Sequence, residues 1–199
     1  MGVKLVSSSA GSVEIVAPAT ASNFTATMPA GTGTVAVQGA STNIVSATAV
    51  ASTSGTSIDF TGIPSWVKKV TVLWNGVSTN GTSNPIIQLG DSGGIEATGY
   101  LGAASNMATG VATLNFTTGF GVFGTAGWTA ARVVYGALTI SKIDGNTWVA
   151  SGTWAASDDN QVGVTSGAKA LSDTLTQVRI TTLGGANTFD AGTINILYE

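Results

Sequence analysis

The sequence predicts an all-β protein in two parts. A short intertwined β stalk or anchor is expected over residues 1–40, and a jelly-roll-like β-sandwich over residues 41–199. Three observations carry that expectation. No helical period is sustained anywhere along the chain. Alternating runs recur at about ten residues per strand and turn, the spacing of all-β chains. Gly, Ser, Asn and Pro separate the runs, and no crossover-helix pattern intervenes, which favours a sandwich or jelly roll over a parallel fold.

The elements follow in order. The first part holds four short runs, Val3–Val6, Ser12–Val16, Asn23–Met28 and Thr34–Val37, divided by "SSSAG", "APATAS" and "PAGTG". The boundary falls near residue 40, and "QGASTNIVSATAVASTSGTS" runs as a linker into a first sandwich strand at Ile44–Ala51. "SWVKKVTVLWN" places Trp66, Val70, Val72 and Trp74 on one face and Val67, Thr71 and Leu73 on the other, the pattern of a strand between two layers. "PIIQLG" (85–90), "ATLNFTT" (112–118) and "ARVVYGALTISKI" (131–143) come next. Asp144-Gly145 then predicts a tight hairpin into "TWVASGTW", because a type I′ turn needs positive φ at both central residues. "TQVRITTL" (176–183) and "GTINILYE" (192–199) close the chain, with Ile194, Ile196 and Tyr198 sharing a face.

Composition narrows the function. Charged residues make up 9% of the 199, and Gly contributes 27. Hydrophobic content of 43% excludes the signature of disorder. The stretches from Ile15 to Ile58 and from Ala97 to Ala131 carry no charge, yet Ser, Thr, Asn and Gly interrupt both too often for a membrane span. "MGVKLVSSSAG" does not read as a signal peptide. The chain has no Cys and no His, so disulfides, thiolate chemistry and the usual zinc sites are excluded. Its seven basic residues are scattered, with only Lys68 and Lys69 adjacent, so nucleic acid is not an expected partner.

Residues 1–40 are too few for a core of their own, since units below about 40 residues usually need disulfides, a metal or partner chains. With Glu14 the only carboxylate there, partner chains remain. Val13, Ile15, Phe24, Met28 and Val35 are the expected contacts between copies.

The pattern "GSVEIVAPATASNFTATMPAGTGTVAVQG" resembles the short β-rich unit of tailed-bacteriophage fibre and appendage proteins: strand, polar turn, a strand ending in Met-Pro-Ala, then Gly-Thr-Val and another strand. "STSGTSIDFTGIPSWVKKVTVLWNGVSTNGTSNPIIQLGDSGG" and "TGYLG" are similar to a globular domain that often follows it in phage and prophage proteins, and "DGNTWVASG" and "FDAGTINILYE" extend the likeness more loosely. The resemblance implies a homotrimeric virion structural protein made in the bacterial cytoplasm and displayed on the virion surface. It implies contact with a tail component or the major capsid protein. A tail-fibre role in host adsorption is expected first, and capsid decoration or a head fibre second.

Asp91, Glu96, Asp144, Asp158, Asp159, Asp173 and Asp190 could furnish a glycosidase pair, but most sit in apparent turns, Asp190-Ala191-Gly192 among them. "SDDNQ" and "GDSGG" offer oxygen ligands without matching a calcium loop, so no metal or cofactor is expected. A glycan-binding module is the competing class. Among the five Trp, Trp74, Trp148 and Trp154 read as core, while Trp128 in "GTAGWTAA" is the candidate ligand contact on a loop. Exposed contacts are expected from loops at 76–84, 91–106, 124–130 and 155–168.

Overall fold

A computed structural model of the chain describes residues 3–6, 12–15, 44–124 and 127–199. The chain divides into two compact units, Met1–Val35 and Ala36–Glu199. In the first, β1 (Val3–Val6) and β2 (Ser12–Ile15) form an antiparallel pair, with Val3 opposite Ile15 and Leu5 opposite Val13. Phe24, Met28, Val35 and the expected intertwining of the stalk lie outside the described residues.

The second unit is a jelly roll enlarged by insertion. Its ends meet first: β3 (Val45–Ser46) and β4 (Val50–Ala51) both pair with the last strand, β16 (Phe189–Tyr198). Moving inward, β5 (Ser57–Thr61) pairs with β15 (Gln177–Thr182), and β6 (Lys69–Thr79) with β12 (Val134–Asp144). Innermost, β7 (Pro85–Asp91) pairs with β11 (Phe120–Gly121). Successive pairs fall in alternate sheets, so the chain is one long antiparallel ribbon folded over itself, which is the jelly-roll arrangement.

Two insertions enlarge it. β8 (Gly94–Ile95), β9 (Tyr100–Met107) and β10 (Val111–Phe116) lie between β7 and β11, and β13 (Thr147–Ala156) and β14 (Gln161–Ala170) lie between β12 and β15. Four of these strands extend one sheet, whose order is β10-β9-β14-β13-β12-β6-β16-β3. The smaller sheet runs β11-β7-β15-β5.

Period-two alternation supplies the core between the sheets. Val70, Val72 and Trp74 of β6, Leu138 and Ile140 of β12, Trp148 and Trp154 of β13, and Ile194 and Ile196 of β16 are buried. They meet Ile58 and Phe60 of β5, Ile87 and Leu89 of β7, and Val178 and Ile180 of β15. Each fully buried side chain of this size contributes about 1.5–3 kcal/mol relative to exposure. Ala104 of β9 and Phe116 of β10 close with Ile86 of β7 in a second, smaller cluster.

Several local expectations change. The β12–β13 turn is Gly145-Asn146, because Asp144 is the last paired residue, opposite Thr147. Gly145 takes the positive φ (49°), and a register shift between Lys142 and Asp144 moves the turn by one residue. Asp190-Ala191-Gly192 is no turn; it lies inside β16, where two register shifts against β6 make bulges and Gly192 has φ 96°. A Cβ there would stand 2.4 Å from the Gly76 carbonyl oxygen. Trp66 precedes β6 and does not share its alternation. It is half-buried against Tyr198, ring centroids 5.9 Å apart, while Val67 is buried in the core. β6 is central within its sheet, but Thr71 and Leu73 on its other face are only half-buried.

The expected loops also shrink. β6 continues to Thr79, β9 occupies 100–107, and β14 begins at Gln161, so much of 76–84, 91–106 and 155–168 is strand. β9 and β14 are rich in Gly, Ala and Ser, which are poor strand formers in isolation. Their neighbours explain those residues. Gly163 lies opposite Trp154, and a Cβ on it would sit 2.2 Å from the indole ring.

Candidate functional site

Trp128 is not a surface contact. It does lie in an irregular stretch before β12, but its side chain is 1% exposed. The ring meets Phe123 edge to face at 5.7 Å, and its Nε1 donates to the Thr79 hydroxyl at 2.9 Å. An indole with a satisfied N–H gains from burial across its whole area. The ring therefore fastens this connection to the core.

The Arg132 guanidinium stacks on the other partner of that ring, 4.9 Å from the Phe123 centroid. Its Nη1 reaches Asp159 at 3.0 Å and Asp158 at 3.6 Å. The two loop-tip carboxylates of the β13–β14 hairpin are thus paired.

A polar corner joins three segments that are distant in sequence. Lys169 of β14 is buried beside Tyr100, its Nζ 5.5 Å from the ring centroid, and donates to Glu96 and to the Ala170 carbonyl at 2.7 Å. The Ser172 hydroxyl lies 2.7 Å from Asp91 Oδ2 and 2.8 Å from Glu96 Oε1, and its backbone N–H donates to Glu96 as well. Asp91 also accepts from the Gly93 N–H at 2.8 Å. The Ser172 hydroxyl, then the Gly93 N–H, hold Asp91 below the usual carboxylate range. Burial pushes Glu96 up, but Lys169 and Ser172 together outweigh it and leave it lowered. Burial raises the Tyr100 phenol, whose oxygen accepts from the Leu89 N–H at 2.6 Å. A glycosidase acid needs a carboxyl held protonated by a raised pKa. Asp91 and Glu96 are shifted the opposite way, and their bonds to Ser172 and Lys169 tie the three segments together. Among the described residues no group of three or more His, Cys, Asp or Glu is placed to hold a metal ion.

A groove of ≈ 380 Å³ crosses the outside of the small sheet, lined by Gln88, Arg179, Thr181 and neighbouring loops. Three of its polar side chains are engaged. Gln88 donates to the Thr118 carbonyl, Thr181 to the Thr56 carbonyl, and Arg179 holds Asp59 through two bonds of 2.7 and 2.8 Å. No aromatic ring lines it, so it lacks the stacking platform that sugar recognition favours.

The outer face of the large sheet differs in kind. Strand register places one row from Thr113 through Ser105, Val164 and Thr153 to Leu73 and Asn195, crossing seven strands. The next row runs from Asn115 through Ser166, Ser151 and Thr139 to Leu197, and neither row holds a charge. On the sides lie Val111, Met107 and Val162, and Leu101 with Val149. Seven of the eleven exposed large apolar side chains of the described residues are on this face, including Leu101 at 77%, Val111 at 72% and Val162 at 51%. Charge returns at the ends of the strands, as Lys69 with Glu199 and as Asp158 and Asp159 with Arg132. Sequence reading passed over this face. Its signal was available in β13, where Val149, Ser151 and Thr153 alternate with Trp148, Ala150 and Trp154.

Comparison with protein-family models, curated proteins and solved structures finds no match.

Proposed function

We propose that this chain is a non-enzymatic structural protein of a tailed-bacteriophage virion, a homotrimeric surface fibre or spike that serves host adsorption. The observation that supports this most is the jelly-roll unit joined to a short N-terminal β unit, the pairing that the fibre-type resemblance implies. Residues 1–40 anchor the protein to other virion proteins and hold copies together through Val13, Ile15, Phe24, Met28 and Val35. The jelly roll projects outward. Its exposed side chains, rather than Trp128, meet the host surface.

Quantifying the protein against the major capsid protein in purified virions tests the reading. A few trimers per particle is the expected result. Copies on the order of hundreds would place it on the capsid lattice as a decoration protein, where trimers match local threefold axes. Absence from purified virions would overturn the virion assignment.

A further inference from the structure

We infer that the outer face of the large sheet is where copies of this chain pack against one another in the proposed homotrimer; the inference rests on that reading and adds the surface it uses. The two strand-crossing rows contain no charged residue, while charged pairs stand at both ends of the strands. Protein interfaces show this anatomy, with charge depleted at the centre and kept at the rim. The exposed apolar residues are concentrated rather than scattered: six of the seven on this face belong to the inserted strands β9, β10, β13 and β14. The insertions therefore widen the sheet and gather most of its exposed large apolar side chains in the far half, among uncharged Ser, Thr and Asn.

Size and chemistry point to a second copy as the occupant. The two rows across seven strands and the five flanking residues, at about 4.8 Å between strands and about 6.7 Å between rows, give a face of roughly 600 Å². A standard interface takes about 800 Å² from each partner. A charge-free centre is matched by another charge-free surface, and a chain with only 9% charged residues carries such a surface itself. The contact can continue over the edge strand β10, "VATLNF", which has none of the charges or prolines that normally block edge pairing.

The chain has no cysteine, so one introduced thiol reports on one position. Ser151→Cys lies mid-face and Thr61→Cys on the outside of the small sheet; both positions are exposed within a single copy. In the full-length chain, sedimentation should show a trimer, and a maleimide should modify Ser151→Cys at least about tenfold more slowly than Thr61→Cys. Val164→Lys should raise the concentration at which the trimer dissociates at least about tenfold, with the near-ultraviolet dichroism unchanged. If Val164→Lys fails to fold, thiol protection decides alone. A trimer with equally reactive thiols would overturn this inference and leave the homotrimer standing. A monomeric native chain would overturn both.

Discussion

The two faces of β13 are made by neighbouring residues of one strand. Inward, Trp148 and Trp154 are 1% and 3% exposed, with Ala150 between them fully buried. Outward stand Val149, Ser151 and Thr153, all exposed. The backbone treats both faces alike, since its ladder bonds lie in the plane of the sheet. What differs is what covers each face. The inner one is closed by β5, β7 and β15 of the small sheet, while within one copy nothing among the described residues closes the outer one. Side-chain size follows that difference: indoles fill the space between layers, and small β-branched or hydroxyl residues pave a surface that another flat surface can approach.

Substitutions can break this contrast or sharpen it. Trp154→Ala should have the largest effect, about 3–5 kcal/mol of unfolding free energy, because it empties the core beneath Phe123 and Gly163. Across the same strand, Ser151→Ala should change it by no more than ~0.5 kcal/mol. Denaturant titration of the two variants measures the contrast directly, and similar losses would show that the outer face is also a core. Gly163→Ala should cost about 2 kcal/mol, since its Cβ would meet the Trp154 ring at 2.2 Å and a packed indole has little room to move. A neutral result in thermal melts would mean that the β13–β14 packing is loose.

Thr79→Val should cost about 1–2 kcal/mol by leaving the buried Trp128 N–H without its acceptor. It tests whether the indole is held by that bond, and an unchanged melting temperature would show that packing alone suffices. The mildest effect concerns the polar corner and acid. Asp91 and Glu96 are lowered from their ordinary values of 3.8 and 4.5, so the folded state binds their protons less readily than the unfolded chain. Their stabilisation is fully present above those values and is lost as pH falls through the lower folded-state values. Melting temperature should therefore be flat between pH 6 and 8, where no histidine titrates, and should fall below about pH 4.5. Ser172→Ala should reduce that acid-dependent loss, and an identical pH profile would assign it to other carboxylates.

Much of this molecule follows from local pattern. All-β class, the inward tryptophans of β13, the shared face of Ile194 and Ile196, and the strand edge at Pro85 all come from period-two alternation and turn residues, which act over a few positions. Strands β9 and β14 stayed hidden because "YLGAASNM" and "QVGVTSGAKA" carry little propensity of their own. They become strands by pairing with each other along eight residues and by fitting Gly163 under Trp154. Trp128 was legible as a loop residue but not as a buried one, because burial depended on Thr79 and Phe123, brought to it by other segments.

Sequence alone determined the β class, the strand-forming runs, the absence of thiol and imidazole chemistry, and a low charge density throughout. Tertiary structure decided which strands pair in the nested ribbon, that the insertions join the large sheet, and that scattered Val, Ser and Thr line up across seven strands as one uncharged face. Alternation is local and survives in any chain order, whereas register and sheet membership depend on partners far away in the chain, as the pairing of Val45 in β3 with Tyr198 in β16 shows.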